Sequence, residues 1–393
     1  MTKLLCIITL SLYGLTFAQT NTEVYLLDIK TVDGKTEIVN PRNISNNEGY
    51  DNQPSFYDEK TILFSSTRNG QTDIAKYDIQ SGKTTWISNT EQGSEYSPLK
   101  IPGKNAVSAI RLDTTGLQRL YEYSVWNGNY VQILEGLKVA YHVWYDNNTV
   151  VSSVTSDDHL NLVVSHIDDG SNETVFQNVG RSLHRIPDSD LISFISKESD
   201  PWEIKSLNPK TGKISDIAVM FKNVDDMCWI DKETIIAADN KVLMQIHPNK
   251  NKDWDRFLRL QKKGINKISR IDVSPNGKYL SLVVEETPAA IVQNQVDAYN
   301  DRDIEAFLNT YATDVQVFDF PGNLKYTGKE KMREHYMDFF ANTPDLNCHI
   351  KNRIVVGNKV IDKEIVTANG NTLVAVAIYE VENGKIAKVT FLK

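Results

Sequence analysis

The chain is poor in cysteine, with three in 393 residues. Cys6 lies in the first twenty residues. That leaves Cys228 and Cys348, which fall in different domains on the reading below, so no disulfide forms within a domain and two buried thiols are expected. Positive charge is also in short supply: 43 Lys and Arg stand against 51 Asp and Glu, for a net charge of −8. No Lys/Arg cluster with interleaved aromatics is present to track a phosphate backbone, which argues against nucleic acid as a partner. After the first residues no apolar run approaches the roughly 20 needed to span a bilayer. The seven histidines show no H-x-x-x-H spacing, so no metal site and no cofactor are expected. A G-x-S-x-G elbow is absent as well, which removes the commonest hydrolytic reading.

What is present is the composition of a folded protein: 40% hydrophobic, 24% charged and 9% aromatic. The length exceeds one ordinary core and predicts two domains. Ahead of them stands MTKLLCIITLSLYGLTFAQT, with Lys3, an apolar run from Leu4 to Leu15, and Ala18 before a polar Gln19. This pattern predicts a signal peptide over residues 1–18, cleaved after Ala18, and an exported protein, periplasmic or secreted.

Residues 19–286 are organised by a repeat. An apolar strand recurs as ILFSS from Ile62, AVSAI from Ala106, VVSSV from Val150, LISFI from Leu191, IIAAD from Ile235 and YLSLVV from Tyr279, at intervals of 44, 44, 41, 44 and 44 residues. Each copy follows a polar turn: YDEKT, PGKN, DNNT, PDSD, DKET and PNGK. That period matches four-stranded propeller blades, and six copies predict six blades. The last copy lacks the outer hairpin that follows the others. VYLLDIKTVDGKTEIVN at 24–40 supplies one at the other end of the chain, so the N-terminal hairpin is expected to complete the last blade and leave no open edge. FSSTRNGQTDIAKYDIQSGKTTWIS at 64–88 resembles the repeats of TolB-like propellers. The resemblance implies a face that binds a protein or peptide.

Strand character ends at Glu286, and Thr287 with Pro288 reads as the start of a helix. AAIVQNQVDAYN places Ile291, Val292, Val296 and Tyr299 on one face. DIEAFLNTYA and GKEKMREHYMDFFANT follow as helices. The stretches CHIKNRIVVG, KVIDKEIVT, TLVAVAIYEV and KIAKVTFLK read as strands. Residues 287–393 are therefore expected to form an α+β domain, helices over a curved antiparallel sheet, behind a mainly β propeller.

The order of these elements, with D-I-E-A-F, Y-A-T-D-V and F-D-F-P-G, resembles the NTF2-like superfamily in its SnoaL-like and ketosteroid-isomerase-like branch. The resemblance implies a cone with an apolar pocket, used by enzymes, ligand binders and scaffolds alike. It also places Asp319, between Phe318 and Phe320, where the isomerases carry a general base. The tyrosine and protonated aspartate of their oxyanion hole correspond to Gln295 and to an apolar residue near Ala377. Losing one such donor costs on the order of 2.7–4 kcal/mol of barrier, so steroid isomerisation is disfavoured.

Asp319 and Gln295 are the expected polar contacts, and the catalytic pair if there is catalysis. As a turn residue alone, Asp319 would accept backbone N–H groups before Pro321. Tyr299, Phe318, Tyr336, Phe340 and Asp362 are the expected pocket contacts. Asp362 and Glu364 alternate onto one sheet face, and for two carboxylates the solvated face is the commoner one. The leading expectation is a binding protein with a small apolar ligand in the cone and a protein partner on the propeller. A proton-transfer enzyme of isomerase or cyclase type and a scaffold that homodimerises through the cone are the rivals.

Overall fold

The computed structural model describes residues 21–392 apart from 33–34, 48, 251–252, 261–264 and 266. The signal peptide read at 1–18 lies outside the described residues.

Six antiparallel four-stranded sheets follow one another along the chain. Five use continuous stretches, at 51–86, 93–132, 139–176, 179–219 and 227–259. The sixth is composite: Ile268–Val273 and Tyr279–Glu285 are joined by Thr22–Val32 and Lys35–Asn43. Thr22 stands opposite Glu285 and Asp28 opposite Tyr279, so the N-terminal hairpin completes the last blade as the repeat predicted. Strand Asp51–Asp58 packs against both Gly93–Lys100 and Ile268–Val273. The ring of blades is thereby closed, and the sheets have no free edge at the join.

The recurring strand motif has a physical reason. The second strand of each blade is packed on both faces, and Ile62, Val107, Val151, Ile192, Ile235 and Leu280 are all fully buried. A serine within it needs a partner. Ser108, Ser193 and Ser281 find one in a carbonyl of the preceding strand, at Leu99, His184 and Asp272, 3.2–3.3 Å away. The turns feeding these strands are held by Asx bonds: Asp58, Asp146 and Asp231 each accept the backbone N–H two residues on, at 2.7–2.9 Å.

After Glu286 come α1 (Pro288–Asp301), α2 (Ile304–Asn309) and α3 (Lys329–Ala341). Thr287 caps α1, its hydroxyl accepting the Ala290 N–H at 3.2 Å. The helices cover a six-stranded sheet in the order Asn323–Thr327, Tyr311–Asp319, Lys385–Leu392, Asn371–Glu382, Lys359–Ala368, Asn347–Val356. The expectation of a wholly antiparallel sheet needs correction: Tyr311–Asp319 runs parallel to Lys385–Leu392. That strand follows α2 and turns at Pro321 and Gly322 into an antiparallel hairpin with Asn323–Thr327, so Lys385–Leu392 lies on its other edge, the parallel one.

Candidate functional site

Three features of the sequence build the cavity inside the cone. First, α1 buries a stripe of Ile291, Val292, Val296 and Ala298, and Gln295 lies within that stripe, 5% exposed. A polar residue on a core-facing stripe needs a partner, yet Gln295 Oε1 has none. Second, the three helices bring aromatic rings together. Phe307, fully buried, has Tyr336 at 4.7 Å, Tyr311 at 5.1 Å and Phe340 at 5.4 Å between ring centroids, and Tyr299 lies 5.5 Å from Phe340. Third, alternation along Lys359–Ala368 turns Val360, Asp362 and Glu364 to the concave side, all buried.

The resulting cavity has a volume of about 560 Å³. Its wall is largely apolar: Val296, Tyr299, Tyr311, Tyr336, Phe339, Val366, Leu373, Ala375 and Phe391. Gln295, Cys348, Glu364 and Tyr379 supply the polar groups along the wall, and Lys325, His335, Asn371 and Thr372 also line it. This is the composition of a small-molecule site, an apolar enclosure with a few convergent polar groups.

Glu364 is the most perturbed acid in the cavity. Burial raises its carboxyl from 4.5 to about 7, against the opposing hydrogen bond from Tyr379. The Tyr379 hydroxyl donates to Glu364 Oε1 at 2.7 Å. A carboxyl poised near neutrality beside a phenol can hold or pass a proton at pH 7. Cys348 is inert by comparison: burial lifts its thiol to about 12, so a thiolate is not available near neutral pH. Its backbone has a structural task, exchanging bonds with the Asn300 side chain at 2.6 and 3.0 Å to fix the end of α1 on the sheet.

The predicted site residues separate into groups. Gln295, Tyr299 and Tyr336 line the cavity. Asp319 is outside the lining. Its side chain is 42% exposed, with Oδ2 3.7 Å from Lys325 Nζ, and among the described residues its carboxylate accepts no backbone N–H, so the turn-residue expectation is corrected too. Phe318 alternates to the other face of its strand, under Lys388 at 5.1 Å. Phe340 packs in the core behind the aromatic wall.

Asp362 faces inward, contrary to the solvated arrangement, and is fully buried, but Arg353 consumes it. Nε and Nη2 of Arg353 bond both its oxygens at 2.7 and 2.6 Å. The same guanidinium reaches Ala289 O and Gln293 Oε1 on α1, each at 3.1 Å. Arg353 and Asp362 therefore clamp helix to sheet. Glu364 and Tyr379 are the polar pair that sequence reasoning did not assemble. Glu364 was flagged by alternation, but Tyr379 stands opposite Val360 in the register, four pairs away from the Glu364–Ala375 pair.

Among the described residues, no group of three His, Cys, Asp or Glu side chains is placed to hold a metal, and no helix is long and apolar enough to cross a membrane. Cys228 and Cys348 are free and buried.

Residues 292–389 match the model of the SnoaL-like domain family. A putative TolB from Agrobacterium tumefaciens is 12% identical, with 68% of this chain and 99% of that one covered at a TM-score of 0.52, and it shares the propeller fold. An uncharacterized cystatin-fold protein from Novosphingobium aromaticivorans is 25% identical over 27% of this chain and 98% of its own, TM-score 0.26. A putative ketosteroid isomerase from Kribbella flavida is 22% identical over 26% and 75%, TM-score 0.24. A comparison with curated proteins finds no match. The chain thus joins a propeller with the fold of a putative TolB to a domain whose residues 292–389 are similar to the SnoaL-like family.

Proposed function

We propose that this chain is an exported binding protein, with residues 19–286 as a recognition propeller for a protein partner and residues 287–393 as a holder of a small, mainly apolar ligand. The observation that carries this reading is the cavity of about 560 Å³ whose buried Gln295 Oε1 has no hydrogen-bond partner. A ligand with a flat apolar body and a hydroxyl or N–H at one end satisfies both, burying its body against Tyr299, Tyr336 and Phe339 and donating to Gln295. Asp319 and Lys325 then act at the rim, as a charged pair and not as the floor of the site.

The test is native mass spectrometry of the full chain against Ala375→Phe. Ala375 lines the cavity and is 6% exposed, so a phenyl group there takes the ligand's space. A retained small molecule in the wild type that is missing from the variant supports the reading. A bare wild-type chain, or an adduct equally present in both, goes against it.

One observation favours a second reading. A carboxyl held near pH 7 inside an apolar site is the form a proton-transfer catalyst needs, and on this second reading Glu364, in preference to Asp319, is the acid/base group. On any substrate found, Glu364→Gln then abolishes turnover while Asp319→Asn leaves most of it. The opposite ranking would restore Asp319 as the base.

A further inference from the structure

The ring of six blades encloses a second cavity, of about 330 Å³, that the reading of the cone does not use. Its lining follows the repeat. Gln53, Ser97, Tyr141, Arg181, Asp226 and Arg270, one from each blade, stand 40 to 45 residues apart and form one level of the wall. Two residues further along their strands, about 7 Å deeper by the strand rise, Leu99, Val143 and Leu183 stand on three successive blades, with Ser55 and Asp272 on two of the others. At that depth the wall is apolar on one side and polar on the other.

Over the whole lining the arginines outnumber the carboxyls. Arg181, Arg185 and Arg270 line it with Asp226 and Asp272, Arg185 four residues beyond Arg181 with its Nη1 on Tyr145 O at 2.6 Å. Burial pushes Asp272 up to about 7, so at neutral pH it carries only part of a charge. The two histidines in the wall add none, since burial pushes His142 down to about 3 and His184 down to about 4.

The bonds of the two central arginines differ. Arg181 is engaged, with Nη2 donating to Ser269 O at 2.6 Å and Nε to Asp225 O at 3.2 Å. Arg270 is held more loosely. Its Nη1 meets Asp226 Oδ2 at 3.5 Å and the guanidinium lies 5.2 Å from the centre of the Tyr141 ring. The Tyr141 side chain also hydrogen-bonds the guanidinium, and even so Asp226 and Tyr141 do not occupy all five N–H donors; the Arg270 side chain is 14% exposed. A guanidinium sequestered from bulk water with donors to spare is a planar fork waiting for an oxyanion.

We propose that the propeller channel binds a small carboxylate with an apolar body, its carboxylate held by Arg270 beside Arg181 and its body lying along Leu99, Val143 and Leu183. The site is independent of the cone and of whatever docks on the propeller's outer face. A phosphate or sulfate of similar size lacks the apolar body and leaves the deeper level of the channel unfilled.

The test is calorimetric titration of the full chain, carried in the Ala375→Phe background so that the cone contributes no heat. The probes are 4-phenylbutyrate and its uncharged amide, 4-phenylbutyramide. The expected result is one saturable site for the acid, at least ten-fold weaker for the amide, lost in Arg270→Met and weakened but present in Arg270→Lys. Tryptophan fluorescence checks that each variant keeps its blades packed, and Arg181→Gln serves as the second variant if Arg270→Met does not fold. Equal binding of acid and amide, binding unaffected by removing the guanidinium, or no saturable heat would each overturn the proposal. A peptide ending in a phenylalanine carboxylate that binds where free 4-phenylbutyrate does not would overturn it in favour of a protein C-terminus.

Discussion

Replacing Glu364 by glutamine should make this protein more stable, and by an amount that depends on pH. The carboxyl titrates near 4.5 when exposed and at about 7 in the fold. Each pH unit of separation corresponds to roughly 1.36 kcal/mol, so the buried charge costs about 3 kcal/mol once it is fully formed. The folded-state value is the higher one. Stability is therefore fully present below about pH 4.5, falls as pH rises towards 7, and stays lost above it.

Glutamine keeps the shape, keeps an oxygen for the Tyr379 hydroxyl and never ionises. The variant should match the wild type near pH 4.5 and exceed it by about 3 kcal/mol at pH 8. Calorimetry reads this cleanly, because Trp86 to Trp254, all six tryptophans, lie in the propeller. A transition seen in heat but not in tryptophan fluorescence belongs to the cone. For a domain of this size about 1 kcal/mol moves Tm by roughly 4–8 °C, so a rise above ~10 °C is expected at pH 8. An equal shift at both pH values, or a loss of stability at pH 8, would refute the assignment of Glu364 as a buried carboxyl held against its charge.

Arg353→Met leaves the fully buried Asp362 without its counter-ion and frees α1 from the sheet. A loss of about 3–5 kcal/mol is expected, read as a lower Tm of the same fluorescence-silent transition. Cys348, lifted to about 12 by burial, should resist iodoacetamide at pH 8 in the native state and react at once in denaturant. Deleting residues 22–43 strips two strands from the last blade, exposing the edge of Tyr279–Glu285. The truncated chain should aggregate or lose the cooperative tryptophan transition.

The propeller was legible because its signal is a period. Six copies of one buried strand and one missing hairpin fixed both the blade count and the way the ring closes. The same periodicity did not show which residues the channel would gather, because Arg181 and Arg270 sit in strands that differ between copies. In the cone, the resemblance to the isomerase branch supplied the pocket and Gln295, while helical spacing put Tyr299 and Tyr336 among the residues that line the cavity.

Three kinds of error arose where a contact depends on a second chain segment. Asp319 was placed by its turn, but its strand ends at the rim. Phe318 was assigned to the pocket beside it although alternation sends neighbours to opposite faces. The inward turn of Asp362 and Glu364 ran against the general cost of burying carboxylates, a cost offset by Arg353 and Tyr379 from adjacent strands. Curvature of the sheet brings Tyr379 to Glu364 across four register positions, which no local pattern encodes.

The most direct measurement is a fluorescence titration with N-phenyl-1-naphthylamine, a neutral aromatic amine with one N–H donor, on wild type, Ala375→Phe and Asp319→Ala. The account predicts saturable one-to-one binding by the wild type and by Asp319→Ala, with loss in Ala375→Phe. Binding abolished by Asp319→Ala but kept by Ala375→Phe would contradict it and move the site from the cavity floor to the rim.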